Sequence, residues 1–207
     1  MTDVALHLEA APARPESPAG PAAARARDDS DRSDVEAARA GDGLGYERII
    51  ERHQSAVAAW MWRFTRDKNT LEELSQEVFV EAYYSLKSFR GGSSFRTWLL
   101  AIATRVGYGF WKRTAREQKR SADAHLLLAG DPVEDGPSEA ADALFGVLET
   151  LPPKERLVLT LMYFEELSVA EIAAATGWSA SLVKVRAYRA RQRLKGLLAQ
   201  AGFGGDK

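Results

Sequence analysis

The sequence predicts an all-α protein made of two helical units. Three observations point there. Apolar residues recur at helical spacing along most of the 207-residue chain. No run shows the alternation of a half-buried strand. The densest Gly and Pro clusters fall between periodic stretches, where they act as breaks. A hydrophobic content of 45% supplies enough core for one ordinary domain or two small ones.

Residues 1–36 are rich in Ala, Pro, Asp and Ser and poor in large apolar side chains, so a disordered tail is expected. A first domain over 37–120 follows as a helical bundle. "YERIIERHQSAVAAWMWRFT" places Tyr46, Ile49, Ile50, Val57, Trp60, Met61 and Phe64 on one helix. "NTLEELSQEVFVEAYYSLKSF" carries Leu71, Leu74, Val78, Ala82 and Leu86 on a stripe of a second. "FRGGSSF" breaks the pattern, and "RTWLLAIATRVGYGFWKRTAREQKR" resumes it as a third helix, apolar first and strongly basic at its end.

Residues 121–141 hold acids without a single Lys or Arg, together with Gly130, Pro132, Gly136 and Pro137, and read as an acidic flexible linker. A small second domain of four helices is expected over 142–200, with a tail at 201–207. Pro152 and Pro153 suit a helix start. Ser168 followed by Glu171 forms a capping box for the next helix. Gly177 stands where a tight inter-helix turn needs a positive φ.

The absence of cysteine excludes disulfides, thiolate metal sites and cysteine nucleophiles. His7, His53 and His125 are scattered without ligand spacing, so no metal, cofactor or catalytic site is implied. The start, "MTDVALHLEA", lacks the features of a secretory signal, and no apolar run approaches the ~20 residues of a membrane span, so a cytoplasmic protein is expected. The net charge of −1 is a cancellation between acidic connectors and basic modules, which suggests a polyanionic partner.

Helix, short Gly turn, helix is the helix-turn-helix arrangement, whose second helix enters the DNA major groove. At ~100° per residue, Val183, Ala187, Ala190 and Leu194 form an inward stripe on that helix. Val185, Tyr188 and Gln192 lie opposite. Arg186, Arg189 and Arg193 flank the outer face on one side, and Lys184, Arg191 and Lys195 flank it on the other, with no acid on the same helix to pair with them. Cations would meet phosphates, while Arg186 or Arg189 could reach guanine and Val185 and Tyr188 thymine methyls.

"LPPKERLVLTLMYFEELSVAEIAAATGWSASLVKVRAYRARQRL" resembles region 4 of the extracytoplasmic-function (ECF) sigma factors, and "LEELSQEVFVEAYYSLKSFRGGSSFRTWLLAIA" resembles their region 2. Together the resemblances cover about Tyr46 to Leu198, in the order the family has them. They imply a dissociable promoter-selecting subunit of bacterial RNA polymerase, with sigma region 2 as the bundle and sigma region 4 as the helix-turn-helix domain.

The resemblance further implies three sets of contacts. Ser181, Lys184, Val185, Arg186, Tyr188, Arg189 and Arg193 would read the minus 35 element. Ser93, Ser94, Phe95, Arg96, Trp98, Arg105, Lys112 and Arg113 would hold the opened minus 10 element. Glu73, Leu74, Gln76, Glu77 and Phe79 would grip the β′ clamp of the polymerase core, whose β flap is a further partner. For Trp98 and Phe95, core packing stands as the alternative to base stacking. An anti-sigma factor is a partner the family allows and nothing in the sequence identifies. The acidic linker would thread near the RNA path of the polymerase.

Arg105, Leu182 and Val185 depart from the family's usual Asn, Thr and Ser, which puts the promoter sequence beyond inference. The competing readings are a free-standing helix-turn-helix repressor or activator, which needs a dimer interface, and a recombinase-type enzyme, which needs a nucleophile and clustered arginines.

Overall fold

A computed structural model of the chain describes residues 21–122 and 145–200. The acidic linker and the two terminal tails of the sequence reading lie largely outside them. Among the described residues every regular element is helical: α1 (Pro21–Arg39), α2 (Gly43–Met61), α3 (Lys68–Ser85), a 3₁₀ turn (Leu86–Ser88), α4 (Phe95–Ala122), α5 (Pro153–Leu159), a π turn (Thr160–Phe164), α6 (Val169–Thr176) and α7 (Ala180–Gln200). A helical turn at 145–149 precedes α5.

The chain divides into two units at Gly107, inside α4. The first unit therefore ends before Arg120, where the buried stripe Leu99, Ile102, Ala103 and Val106 of α4 runs out.

In the first unit the periodic positions are core. Ile49, Val57, Met61 and Phe64 from α2 and the following turn, Leu71, Leu74 and Val78 from α3, and the α4 stripe are almost wholly removed from water. Each large aliphatic or aromatic side chain so buried contributes about 1.5–3 kcal/mol. Asp42 and Asp67 cap α2 and α3 by accepting hydrogen bonds from the Leu44 and Thr70 amides. Phe64 presses on the backbone of Gly107 so closely that a Cβ there would lie 2.5 Å from its ring.

Residues 21–36, expected as disordered tail, are instead most of α1, which packs along α2. The physical reason is electrostatic. Among the described side chains of α1 only Val35 joins the apolar core, but Asp31 and Asp34 are 1% and 7% exposed and face cations of α2. Asp34 accepts from Arg48 Nε at 2.8 Å and from Arg52 Nη2 at 2.6 Å. Asp31 accepts from Arg52 Nη1 and, at 2.9 Å, from His53 Nε2. Burial alone pushes the Asp34 carboxyl up. The Arg52 and Arg48 guanidiniums outweigh that and hold it below its ordinary value.

The second unit is assembled from two short helices, α5 and α6, and the 21-residue α7, with strong end signals. Pro153 opens α5. The Ser168–Glu171 capping box is complete, with the Ser168 amide donating to Glu171 Oε2 at 2.8 Å and the Glu171 amide to Ser168 Oγ at 3.3 Å. Gly177 ends α6 at φ 72°, as the turn requires. Leu148, Leu151, Leu159 and Ala190 form a shared core on which Leu194 and Leu197 close.

Two outcomes are expected. Because the folded Asp34 carboxyl ionises below its free counterpart, its contribution is complete above the ordinary value of 3.8 and is lost as pH falls through the lower folded value. Exchange of the α1 amides, corrected for intrinsic rates, should thus stay slow from neutral pH downward and accelerate below about pH 4, ahead of α2. Gly107→Ala should cost the first unit about 1–3 kcal/mol through overpacking against Phe64, measured as a lowered urea midpoint.

Candidate nucleic-acid and protein interfaces

Three surfaces gather the residues singled out in the sequence. On α7 the inward stripe is as expected: Val183, Ala187 and Ala190 are 0–2% exposed. Small residues at 187 and 190 bring the α7 backbone close to its core, which leaves the opposite ridge standing in water. Ser179 caps the helix, accepting from the Leu182 amide at 3.2 Å. Ser181, Lys184, Val185, Tyr188 and Arg189 are all exposed, with Val185 and Tyr188 offering apolar surface between cations.

Two arginines of the set are engaged. Arg186 is half-buried, its guanidinium 4.8 Å from the Trp178 ring centroid, an arrangement that fixes its direction. Arg193 Nη1 donates to Glu155 Oε2 of α5 at 2.9 Å. The helix itself carries no acid, as the sequence shows, but the fold supplies one.

The second surface is the loop between Phe89 and Phe95. Its two ends are buried and meet edge to face, with ring centroids 5.4 Å apart, and both rings touch Trp98 at 5.3 and 5.4 Å. Phe95 is 2% exposed and also packs on His53, so it is a core residue that anchors the loop and does not offer a stacking face. Trp98 is half-buried. Ser94 caps α4 by accepting from the Thr97 amide at 3.1 Å. Ser93 and Arg96 are exposed.

A cavity of about 280 Å³ opens between this loop and α1, lined among others by Arg32, Arg39, Phe89, Ser93, Ser94 and Phe95. Trp98 and Arg105 stand at seven-residue spacing and so share a face of α4 in the first unit; Arg105 is exposed, as are Lys112 and Arg113 beyond the division at Gly107.

On α3, Glu73 and Gln76 are exposed and Glu77 half-buried, whereas Leu74 and Phe79 are 2% and 5% exposed and belong to the core. A contact by Leu74 or Phe79 would require the domain to open. The structure adds Val80, Tyr83 and Tyr84 to the outer face, 53%, 54% and 79% exposed, which sequence reasoning did not single out. Their signal was present in the helical spacing from Gln76, one and two turns on. Tyr46, on α2, meets Tyr83 edge to face and donates its hydroxyl to the Phe79 carbonyl; burial pushes its phenol up. In the second unit Tyr163 and Phe164, at the end of the π turn, are likewise exposed.

Among the described residues no helix is long and apolar enough to cross a membrane. A family profile for sigma-70 region 2 matches residues 49–117, and one for sigma-70 region 4 matches residues 141–194. The RNA polymerase sigma factor YlaC of Bacillus subtilis is 32% identical over 155 residues, spanning 72% of this chain and 89% of that protein. The ECF RNA polymerase sigma-E factor of Haemophilus influenzae is 29% identical over 178 residues, 80% of this chain and 94% of that one.

A sigma factor RpoE, solved in complex with the anti-sigma factor NepR from Bartonella quintana, superposes with a TM-score of 0.55. It is 25% identical and covers 74% of this chain and 96% of that one. CnrH, solved with the cytosolic domain of CnrY, shares the fold at a TM-score of 0.54 and 24% identity, over 83% of this chain and 98% of that one.

Salt titration separates an exposed cation of α7 from the one that an acid already meets. Arg189→Ala is expected to lower the slope of log affinity against log salt for duplex DNA by about 0.9, the value of one phosphate contact. Arg193→Ala, whose charge Glu155 already meets, should change the slope by clearly less.

Proposed function

Since this chain belongs to the extracytoplasmic-function sigma factors, which bind RNA polymerase core and direct it to promoters, we propose that its three surfaces divide the work of initiation. The exposed ridge of α7 enters the major groove of the minus 35 element. Lys184 and Arg189 meet phosphates or base edges, Val185 and Tyr188 touch the groove floor, and Ser181 lies at the entry end.

The observation that carries this assignment is the combination of a fully buried inner stripe with an outer ridge that has no acid of its own. Such a helix is held rigidly from behind and is cationic in front. Arg186, aimed by Trp178, is the better candidate for a single directed contact.

The loop through Ser93 and Ser94, with Arg96 and Trp98, receives the opened minus 10 strand, and Arg105, Lys112 and Arg113 follow its backbone along α4. Single-strand capture suits these parts because an aromatic face takes a base and cations follow phosphates. Phe95 acts from behind, as the anchor of the loop.

Glu73, Gln76 and Glu77, extended by Val80, Tyr83 and Tyr84, form the surface for the polymerase β′ clamp, with Leu74 and Phe79 supporting it from the core. The β flap is met by the second unit. Each DNA-binding surface is small, and fixing both on one polymerase raises the effective concentration of the second contact once the first is made. The protein acts in the cytoplasm, where that polymerase works. An anti-sigma protein, of the kind that RpoE was solved with, is the expected negative regulator.

The test is transcription from genomic fragments by sigma-free core polymerase with and without the protein. Defined start sites that depend on it establish the reading and reveal both promoter elements. Tight salt-sensitive DNA binding by the protein alone, with no new starts, would establish a repressor or activator in its place. Gln76→Ala combined with Tyr84→Ala is expected to weaken core binding at least ~10-fold, the loss of about 1.4 kcal/mol, with no change in melting temperature because both side chains are exposed.

A further inference from the structure

We infer that Arg39 of α1 is a positioning residue for promoter opening: its guanidinium holds the stem of the 90–94 loop in the conformation that receives the minus 10 strand. The inference rests on the assignment of that loop above.

The 3₁₀ turn Leu86–Ser88 ends directly before Phe89, whose amide donates to the Leu86 carbonyl at 3.2 Å, and each carbonyl at this end can accept more than one hydrogen bond. Arg39 supplies donors to two of them. Its Nε and Nη2 donate to the Leu86 carbonyl at 3.1 and 2.9 Å, and Nη2 also donates to the Phe89 carbonyl. The two acceptors lie 47 and 50 residues away in sequence, so the contact joins α1 to the loop stem across the domain. The planar fork fixes the direction of these donors relative to one another, with Nη2 shared between the two carbonyls.

The consequences for the loop are specific. Its aromatic ends, Phe89 and Phe95, close on each other and on Trp98, while residues 90–93 are exposed and Ser94 is half-buried. With the far end capped by Ser94 on α4, the near end is held by Arg39. Arg39, Phe89, Ser93 and Ser94 all line the cavity between loop and α1, so a shift of the Leu86–Phe89 backbone changes the shape of that cavity directly. Arg39 is exposed and lies on a different helix from the α3 and α7 surfaces, so its loss leaves the core, polymerase docking and duplex binding in place.

The experiment uses holoenzyme assembled from core polymerase and full-length protein on a promoter found by the transcription assay. Opening is followed by the rate at which minus 10 thymines become reactive to permanganate. Core affinity and melting temperature are measured alongside. Arg39→Ala is expected to slow opening about 10- to 100-fold, the scale of a misplaced contact group. Arg39→Lys is expected to be impaired to a similar degree, since the shorter-reaching ammonium lacks the planar fork that puts Nε and Nη2 together on the Leu86 carbonyl while Nη2 reaches Phe89. Core affinity and melting temperature stay at wild-type values in both.

Wild-type opening by Arg39→Ala overturns the inference. So does full rescue by Arg39→Lys, which would assign the residue a phosphate contact, and so does a fall in melting temperature or core affinity parallel to the fall in opening. If Arg39→Ala does not fold, Arg39→Lys carries the same comparison. Failure of the wild-type holoenzyme to open any promoter would instead remove the reading of the loop, and the inference with it.

Discussion

The first unit depends on the need to neutralise two carboxylates that the fold takes out of water. A buried charge left without its partner costs about 3–5 kcal/mol, so Asp31 and Asp34 bring α1 to the one place on α2 where Arg48, Arg52 and His53 await them. Asp31 and Asp34 stand about one turn apart, as do Arg48 and Arg52, and two matched pairs permit no sliding of one helix along the other. Arg39 lies eight residues beyond Asp31, about 12 Å along the helix axis. Its arrival at the Leu86 and Phe89 carbonyls is thus set by charges at the other end of the contact.

The second unit solves a different problem with local means. Two of its helices, α5 and α6, are short, and a short helix is marginal without end signals and tertiary packing. The Ser168–Glu171 box and Gly177 define where α6 starts and stops, and Ser179 where α7 starts. With those ends set, Ala190 of α7 sits with Leu148, Leu151 and Leu159. One helix can then serve two demands: its inward stripe of Val183, Ala187 and Ala190 serves cohesion, while most of its cations remain outside. Where a cation does turn inward it finds a fixed partner. Arg156, 6% exposed, lies 4.8 Å from the Phe145 ring centroid and 3.6 Å from Glu149.

Features written in neighbouring residues were legible in the sequence. The helical stripes of α2, α3, α4 and α7 and the caps at Pro153, Ser168 and Gly177 need only a window of one or two turns, and the structure has them where the pattern puts them. Features that rest on distant pairing were not. Composition marks residues 21–36 as unstructured because it counts apolar side chains, whereas α1 is held by partners 14 to 22 residues away. Arg193 seemed free of acids within its helix and meets Glu155 from 38 residues away.

The candidate surfaces divide the same way. The exposed face of α7 follows from periodicity, but whether Phe95, Phe79 and Leu74 point in or out depends on which neighbour covers them, and all three point in. No local signal distinguishes the π turn at Thr160–Phe164 from ordinary helix.

That π turn leads into Glu166, which alone among the described residues other than glycine holds a positive φ, 54°. The left-handed conformation costs an L-residue about 1–2 kcal/mol, and it is what lets the chain reverse so that the Leu167 amide reaches back to the Leu161 carbonyl at 3.0 Å before Ser168 starts α6. The helix-turn-helix module consequently stands below the stability its other contacts would permit. A glycine at 166 would relieve the strain without moving a single contact, so the position is where lineages of this protein could gain heat tolerance while leaving both the groove-facing ridge and its supporting core untouched.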